Sequence, residues 1–256
     1  MKNKPLVSVI IPYFRKKHFL KKTIKSIISQ TYKNFEIILI YDDQNLDDLS
    51  YVKNLIKKVK SKKIILNKKN IGPGLSRNKG ILKSSGNYIA FCDADDIWKK
   101  NKLFKQISHM QKNNLDFSHT SYSVIDKYSK NVGSFNIKEK LSYKNLIKSC
   151  DIGLSTVIAN KRIFLKNKFT SLKTKEDYLL WLKLLKKKKY IHGINEQLSS
   201  WRSLEDSLSS SLSQKLSDSF KLYYKYEKYN IIYSLFCVLR LSYFALIKKI
   251  QMKGYL

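Results

Sequence analysis

Residues Asn87–Trp98 read NYIAFCDADDIW: a short apolar run, Tyr88–Cys92, followed at once by Asp93, Asp95 and Asp96. A strand buried on both faces shows such an unbroken apolar run. In open α/β sheets the ligand-binding groups stand beyond the carboxyl ends of the strands. Three acids this close repel one another unless a cation or hydrogen-bond donors hold them, and the hard cations Mn²⁺ and Mg²⁺ take carboxylate oxygens as ligands. The same residues also read as an acidic turn opening a helix, with Asp95 or Asp96 as its N-cap. Taken alone, the stretch does not separate the two readings.

The segments around it do more. Upstream, Leu6–Pro12 (LVSVIIP) is a β-branched run closed by proline, and Leu20, Ile24, Ile27 and Ile28 recur at helical spacing through Lys21–Gln30. Phe35–Ile40 (FEIILI) is a second buried strand, and it too ends in acids, Asp42 and Asp43. Leu49, Val52, Leu55, Ile56 and Val59 mark the next helix, and Lys63–Leu66 a third strand. In Asn70–Gly86 (NIGPGLSRNKGILKSSG) glycines and a proline break the chain before a helix carrying Ser76, Arg77 and Asn78. Strands alternating with helices predict an α/β fold with a mostly parallel central sheet flanked by helices. Right-handed crossovers then place Asp42/Asp43 and Asp93/Asp95 along one rim. No GxGxxG follows the first strand and no Walker lysine motif is present, which argues against a dinucleotide oxidoreductase and a P-loop enzyme.

A formal charge of +32, from 51 basic and 19 acidic residues, invites a nucleic-acid reading. The lysines are scattered over nearly every predicted helix rather than gathered in a stripe, so no nucleic-acid partner is expected. Cys92, Cys150 and Cys237 lie far apart, without CxxC or Cys/His spacing, and neither zinc nor a disulfide framework is indicated. The apolar run Leu6–Ile11 is too short for a signal peptide. A cytoplasmic location is the expectation.

Four segments, VSVIIPYF at Val7–Phe14, FEIILIYDDQNLDD at Phe35–Asp48, NIGPGLSRNKGI at Asn70–Ile81 and GNYIAFCDADDIW at Gly86–Trp98, come in an order and spacing that resembles the inverting nucleotide-sugar glycosyltransferases of family 2, with the GT-A fold. The resemblance implies that Pro12 and Tyr13 line the base pocket and that Asp42 or Asp43 accepts a hydrogen bond from the base. It further implies that Arg77 holds a diphosphate oxygen. Asp93-Ala94-Asp95 corresponds to the DXD motif, with Asp95 on a divalent metal, Mn²⁺ or Mg²⁺, and Asp93 on ribose or the metal shell. Asp96, ahead of Ile97 and Trp98, is left as a helix cap. The family's DDGS-like turn reads DDQN here, with Gln44 and Asn45 in place of Gly and Ser.

In the second half, Lys175–Leu185 (KEDYLLWLKLL) opens a helix with Glu176-Asp177 at its start. By itself the pair reads as a complement to the helix dipole. By resemblance to the family's ED motif, Asp177 is the catalytic base. Phe117–Val124 and Ser155–Asn160 read as strands, Arg162–Leu165 as a short helix, and Tyr190–Trp201 as closing strands. His109, His119 and His192 lack ligand spacing and read as surface or packed histidines. Residues 201–210 are similar to the family's aromatic-Arg-x-His-x-x-Ser segment, with Leu204 where the histidine stands; Arg202 then reaches phosphate or makes a structural ion pair. No QxxRW is present, so the processive polymer synthases are a poor comparison.

The expected organisation is a transferase domain over 1–210, with a nucleotide-sugar half (1–98) and an acceptor half (99–210), and a helical, amphipathic extension over 211–256. Ile231–Ile247 is strongly apolar and flanked by Lys225, Lys228, Lys248, Lys249 and Lys253. It reads as a peripheral membrane contact through 225–253 or as a helix packed on the domain or a second subunit. The implied partners are a nucleoside-diphosphate sugar donor and a glycan or lipid-linked acceptor, in cell-surface polysaccharide or lipid-linked glycan synthesis. The altered turn and missing histidine keep open a catalytically impaired nucleotide-sugar-binding protein.

Overall fold

The structure, a computed structural model, describes residues 4–204 and 211–252. Its strands are β1 (Val7–Tyr13), β2 (Phe35–Tyr41), β3 (Lys62–Leu66), β4 (Tyr88–Phe91), β5 (Ile97–Trp98), β6 (Phe117–Ile125), β7 (Asn131–Phe135), β8 (Lys140–Leu141), β9 (Ile158–Asn160) and β10 (Ile191–Arg202). Its helices are α1 (Lys17–Ile28), α2 (Leu46–Ile56), α3 (Pro73–Lys83), α4 (Lys102–Lys112), α5 (Tyr143–Leu146), α6 (Lys161–Lys166), α7 (Glu176–Leu185), α8 (Leu212–Lys221) and α9 (Ile231–Met252).

The strands form one sheet in the order β3-β2-β1-β4-β9-β6-β10-β5, with β7 beside β6 and β8 beside β10. The first four strands are parallel: β1 pairs β2 and β4, and β2 pairs β3. The second half is mixed. β9 runs antiparallel to both β4 and β6, while β10 lies parallel to β6 and antiparallel to β5. Side chains alternate across β1: Val7, Val9, Ile11 and Tyr13 join a core under α1, α2 and α4, while Ile10 joins the opposite core with Phe169 and Trp181. Helices therefore cover both faces, and the strand ends carrying Asp42 and Asp93 come out at one rim.

Three local expectations change. Ile97 and Trp98 form β5, paired with Ser200 and Ser199 of β10, so Asp96 caps no helix there; α4 starts only at Lys102. Residues Leu154–Thr156 wind a single 3₁₀ turn before β9, so the strand expected over Ser155–Asn160 is shorter. The closing strands near Tyr190–Trp201 are one 12-residue strand, β10, with register shifts between Ile194 and Ser199.

The extension shares the main core. Leu222, Tyr223, Cys237, Val238 and Leu241 are buried in the same apolar cluster as Phe169, Leu180 and Trp181. Full burial of Leu222, Val238 and Leu241 contributes roughly 1.5–3 kcal/mol each. That sum is of the order of a domain's whole net stability of about 5–15 kcal/mol. Tyr223 and Arg240 also donate to Ile147 O, at 3.0 and 3.3 Å, and Lys248 Nζ donates to Cys150 O at 2.7 Å. The extension thus braces the loop following α5 and is a structural part of the domain.

Candidate active site

At the end of β2 the two acids do different work. Asp42 is spent on the chain: Oδ1 accepts from Asn67 Nδ2 (2.8 Å) and Ile71 N (2.9 Å), and Oδ2 from Gly72 N (2.9 Å). These bonds fix the loop before α3, where Gly72 takes φ +85°, a left-handed conformation that glycine adopts without strain. Asp43 holds Gln44 N at 2.7 Å through Oδ1, and its Oδ2 has one long bond, from Arg15 N at 3.2 Å. The DDQN turn is well made, because Asn45 caps α2 by accepting from Asp48 N at 3.0 Å. Tyr13 departs from its expected place on the pocket wall. It is fully buried, its ring stacks on Tyr41 at 5.2 Å, and its hydroxyl donates to Asp48 Oδ2 at 2.7 Å. Pro12 and Phe14, half-buried on either side of it, are the residues that reach the rim.

After β4, Asp93 Oδ1 accepts from Arg77 Nη2 at 2.7 Å and its backbone N–H donates to Ser155 Oγ at 3.0 Å. Asp95 Oδ2 lies 2.9 Å from Lys16 Nζ. Asp96 is buried and accepts from Arg202 N at 2.9 Å. Burial pushes the Asp95 and Asp96 carboxyls above their ordinary range; for Asp96 the neighbouring carboxylates add to it, and for Asp95 the Lys16 ammonium partly offsets it. The 3₁₀ turn behind Asp93 is held from the core: Thr156 O accepts from Gln106 Nε2 at 3.0 Å, and Ser155 O from Trp98 Nε1 at 3.0 Å.

Arg202 does not face the rim. Its Nε donates to Asp95 O (2.8 Å), its Nη1 to Asp126 O (2.6 Å) and Ser129 Oγ (3.1 Å), and its guanidinium stacks 4.7 Å over Phe19. It ties the end of β10 to the acidic turn, and the expected phosphate contact is replaced by this structural one. Residues 205–210 of the segment similar to the family's aromatic-Arg-x-His-x-x-Ser run lie outside the described residues.

The two halves meet at Arg77, 4% exposed in α3, whose Nη1 donates to Glu176 Oε1 at 2.7 Å while Nη2 serves Asp93. Its planar fork therefore joins the acidic turn to the first residue of α7. The approach is close: a Cβ on Gly74 would stand 2.6 Å from Thr170 O and 3.0 Å from Glu176 Cγ. Lys175, which leads into α7, takes φ +69°, uncommon for a residue with a Cβ. Asp177 is half-buried; its Oδ1 accepts from Tyr178 N at 2.7 Å, and among the described residues no donor reaches Oδ2.

One guanidinium here faces three carboxylates, those of Asp93, Glu176 and Asp177. Burial raises the Asp177 carboxyl in spite of Arg77, and burial with the adjacent Asp177 raises Glu176 to about 7. An acid whose pKa is higher when folded releases its proton first in the unfolded chain, so its contribution falls as pH rises. We expect the melting temperature to drop, relative to Glu176→Gln, between pH 4.5 and about 7. Parallel slopes for the two proteins over that window would place Glu176 ionised throughout.

Asp95 and Asp93 offer hard oxygen donors, and a cation, the Lys16 ammonium, already lies on Asp95; the pair fits a divalent ion in kind. Among the described residues no three His, Cys, Asp or Glu side chains are gathered to enclose one, so the diphosphate and water would have to complete its shell. Lys16, Ser155, Asn67 and Gln106 were not singled out by the sequence. Ser155 and Gln106 act through backbone groups, and single polar residues of this kind leave no spacing signature. His119 is buried with neither ring nitrogen bonded among the described residues, and burial lowers its pKa to about 3.

The chain spans about a third or less of the length of the rickettsial glycosyltransferases it matches. One, an uncharacterised glycosyltransferase of Rickettsia bellii, is 39% identical over 202 residues, 77% of this chain and 28% of that protein. The chain is also 39% identical over 181 residues to the Escherichia coli protein UDP-Glc:alpha-D-GlcNAc-diphosphoundecaprenol beta-1,3-glucosyltransferase WfgD, covering 71% of this chain and 70% of that one. In fold it is similar to S. aureus TarS 1–349, solved in complex with UDP-GlcNAc, with a TM-score of 0.71 at 19% identity over 84% of this chain and 64% of that one. The profile of Glycosyl transferase family 2 matches residues 8–172, which run from β1 through both acid-tipped strands and Arg77 to the loop before α7. With that profile over well over half its length, and with the acidic turn and the Glu176-Asp177 helix drawn together by one arginine, the chain belongs to glycosyl transferase family 2.

Proposed function

We propose that the protein is an inverting glycosyltransferase that moves a sugar from a nucleoside-diphosphate sugar to an acceptor hydroxyl. The observation that carries this reading is the Arg77 bridge, which joins the Asp93–Asp95 turn to the first residue of the helix that bears Asp177. Asp43, with an oxygen lightly held, accepts from the base's ring N–H, while Asp42 shapes the loop beneath it. Pro12 flanks the base. Asp95 and Asp93 are the residues that would hold a Mn²⁺ or Mg²⁺ ion, whose chemistry there is to offset charge on the departing diphosphate. Asp177 takes the proton of the attacking hydroxyl. Arg77 serves the diphosphate side indirectly, by orienting Asp93.

The WfgD name supports a uridine donor and an acceptor sugar carried on a lipid diphosphate. The test is transfer from UDP-glucose, with Mn²⁺, to N-acetylglucosamine-diphosphate lipid, alongside a panel of GDP- and dTDP-sugars and other acceptors. Asp43→Asn should weaken UDP binding about tenfold with little change in melting temperature, whereas Asp42→Asn should chiefly lower the melting temperature. The reverse pattern would exchange the two roles. Nucleotide binding without transfer from any donor would favour the impaired binding protein.

We also take α9 as a peripheral membrane contact. Ser234, Cys237, Val238 and Leu241 face the core, while Ile232, Leu235, Phe236, Leu239, Tyr243 and Leu246 form an exposed apolar stripe on the other side. Exposed Lys225, Lys228 and Lys249 accompany the stripe, the combination that anionic lipid surfaces attract. The helix is long and apolar enough to cross a membrane, but its buried face is committed to the protein, which favours lying on the surface. The protein should float with phosphatidylglycerol vesicles and lose most of that binding in Ile232→Asp/Leu239→Asp. Concentration-dependent dimers that the double variant abolishes, without vesicle binding, would instead assign the stripe to a second copy.

A further inference from the structure

The loop between β1 and α1 touches both acid-tipped strands at once. Arg15 N donates to Asp43 Oδ2 at 3.2 Å, and one residue on, Lys16 Nζ lies 2.9 Å from Asp95 Oδ2. Arg15 takes φ +50° at this point, a left-handed conformation uncommon for a residue with a Cβ. Such conformations persist where the surroundings hold them, often at functional sites. The Lys16–Asp95 pair is mostly buried, at 23% and 15% side-chain exposure, unlike the next lysine, whose pairing with Asp48 leaves it 41% exposed. Asp95 is also the carboxylate placed to receive the metal.

We infer that Lys16 is a further donor-binding residue, which occupies the cation position at Asp95 and yields it to the metal when a donor's diphosphate is there to receive its ammonium. The inference rests on the transferase reading of the same site. A divalent ion and an ammonium held on one carboxylate repel each other at contact distance, so an ion arriving alone binds against the Lys16 charge or pushes it aside. A diphosphate offers the displaced charge a new partner, and the lysine stem is flexible enough to carry it there. Metal and nucleotide binding then become positively coupled, and by linkage each raises the other's affinity by the same factor. Lys16 adds to the coupling that a diphosphate ligand of the metal brings, because it penalises the metal without nucleotide and assists the nucleotide with metal.

The test is a Mn²⁺ titration of the full chain, followed by the electron paramagnetic resonance of the free ion, with and without UDP. Lys16→Met should bind Mn²⁺ in the absence of nucleotide at least tenfold more tightly than wild type, and the enhancement by UDP should shrink by a similar factor. Lys16→Arg, which keeps the charge, should stay near wild type. In Lys16→Met/Asp95→Asn the gain should vanish. An unchanged Mn²⁺ affinity in Lys16→Met without nucleotide overturns the inference, as does a gain that survives loss of Asp95. Failure of UDP, GDP and dTDP alike to bind the wild type would instead sink the donor-site reading. The nucleotide-free measurement still decides the role of Lys16 in that case.

Discussion

Asp177→Asn is expected to bind donor as the wild type does and to transfer sugar roughly 10²–10⁴-fold more slowly, the range that a positioned general base supplies. The substitution keeps the shape of the side chain and the acceptor for Tyr178 N, so the N-terminal turn of α7 stays intact. What disappears is an oxygen able to take a proton. Oδ2 has no bonded donor among the described residues, and burial raises the carboxyl from its ordinary value, which makes it a stronger base near neutral pH. Glu176, its neighbour, is the competing candidate. It is buried, with Oε1 held by Arg77. Glu176→Gln should therefore disturb the clamp and shift stability while leaving a substantial part of kcat. If Asp177 only complements the helix dipole, Asp177→Asn costs about 0.3–1 kcal/mol of stability and the transfer rate stays near wild type. Single-turnover transfer, with donor affinity measured separately, distinguishes the two cases.

The parallel half of the fold was legible because each of its strands is an apolar run with no competing helical period, and crossover handedness then fixed which acids share a rim. The burial of Tyr13 was legible in principle. It shares strand parity with Val7, Val9 and Ile11, which face the helix layer, so its ring had to follow them inward. The motif outweighed the parity, and the parity was right. Arg77 and Arg202 stood out in the sequence, but their partners did not. A guanidinium pairs as readily with carboxylates or carbonyls as with phosphate, and the carboxylate involved, Glu176, is 99 residues away in the chain. Lys16 was hidden by composition, since one lysine among 51 basic residues has no pattern to mark it. For the extension the sequence left a membrane contact and a helix packed on the domain or a second subunit as alternatives, because an apolar run does not say which of its faces is covered. Three-dimensional packing divides it into a face buried in the domain's core and an exposed stripe.

Arg77→Met is expected to destabilise the protein by about 3–5 kcal/mol, the cost of stripping the partner from buried charges. For a chain of this size that corresponds to a fall in melting temperature of roughly 6–20 °C. Asp93, Glu176 and Asp177 would be left without the guanidinium between them, and burial already raises the last two carboxyls with Arg77 present. Arg77→Lys should recover only part of the loss, because an ammonium cannot span Asp93 and Glu176 as the planar fork does, with both contacts at 2.7 Å. Adding Glu176→Gln to Arg77→Met should return more than a kcal/mol, since it removes one stranded charge; neighbours in such a network do not add. The family resemblance implies something else, that Arg77 meets the diphosphate directly. Under that reading Arg77→Met melts near the wild-type temperature and loses donor affinity by tenfold or more, and Glu176→Gln brings no rescue. Denaturant midpoints for the three variants, set beside donor affinity, separate a clamp that builds the site from a ligand contact within it. With both fork nitrogens committed to carboxylates from opposite halves of the chain, the clamp is the expected result.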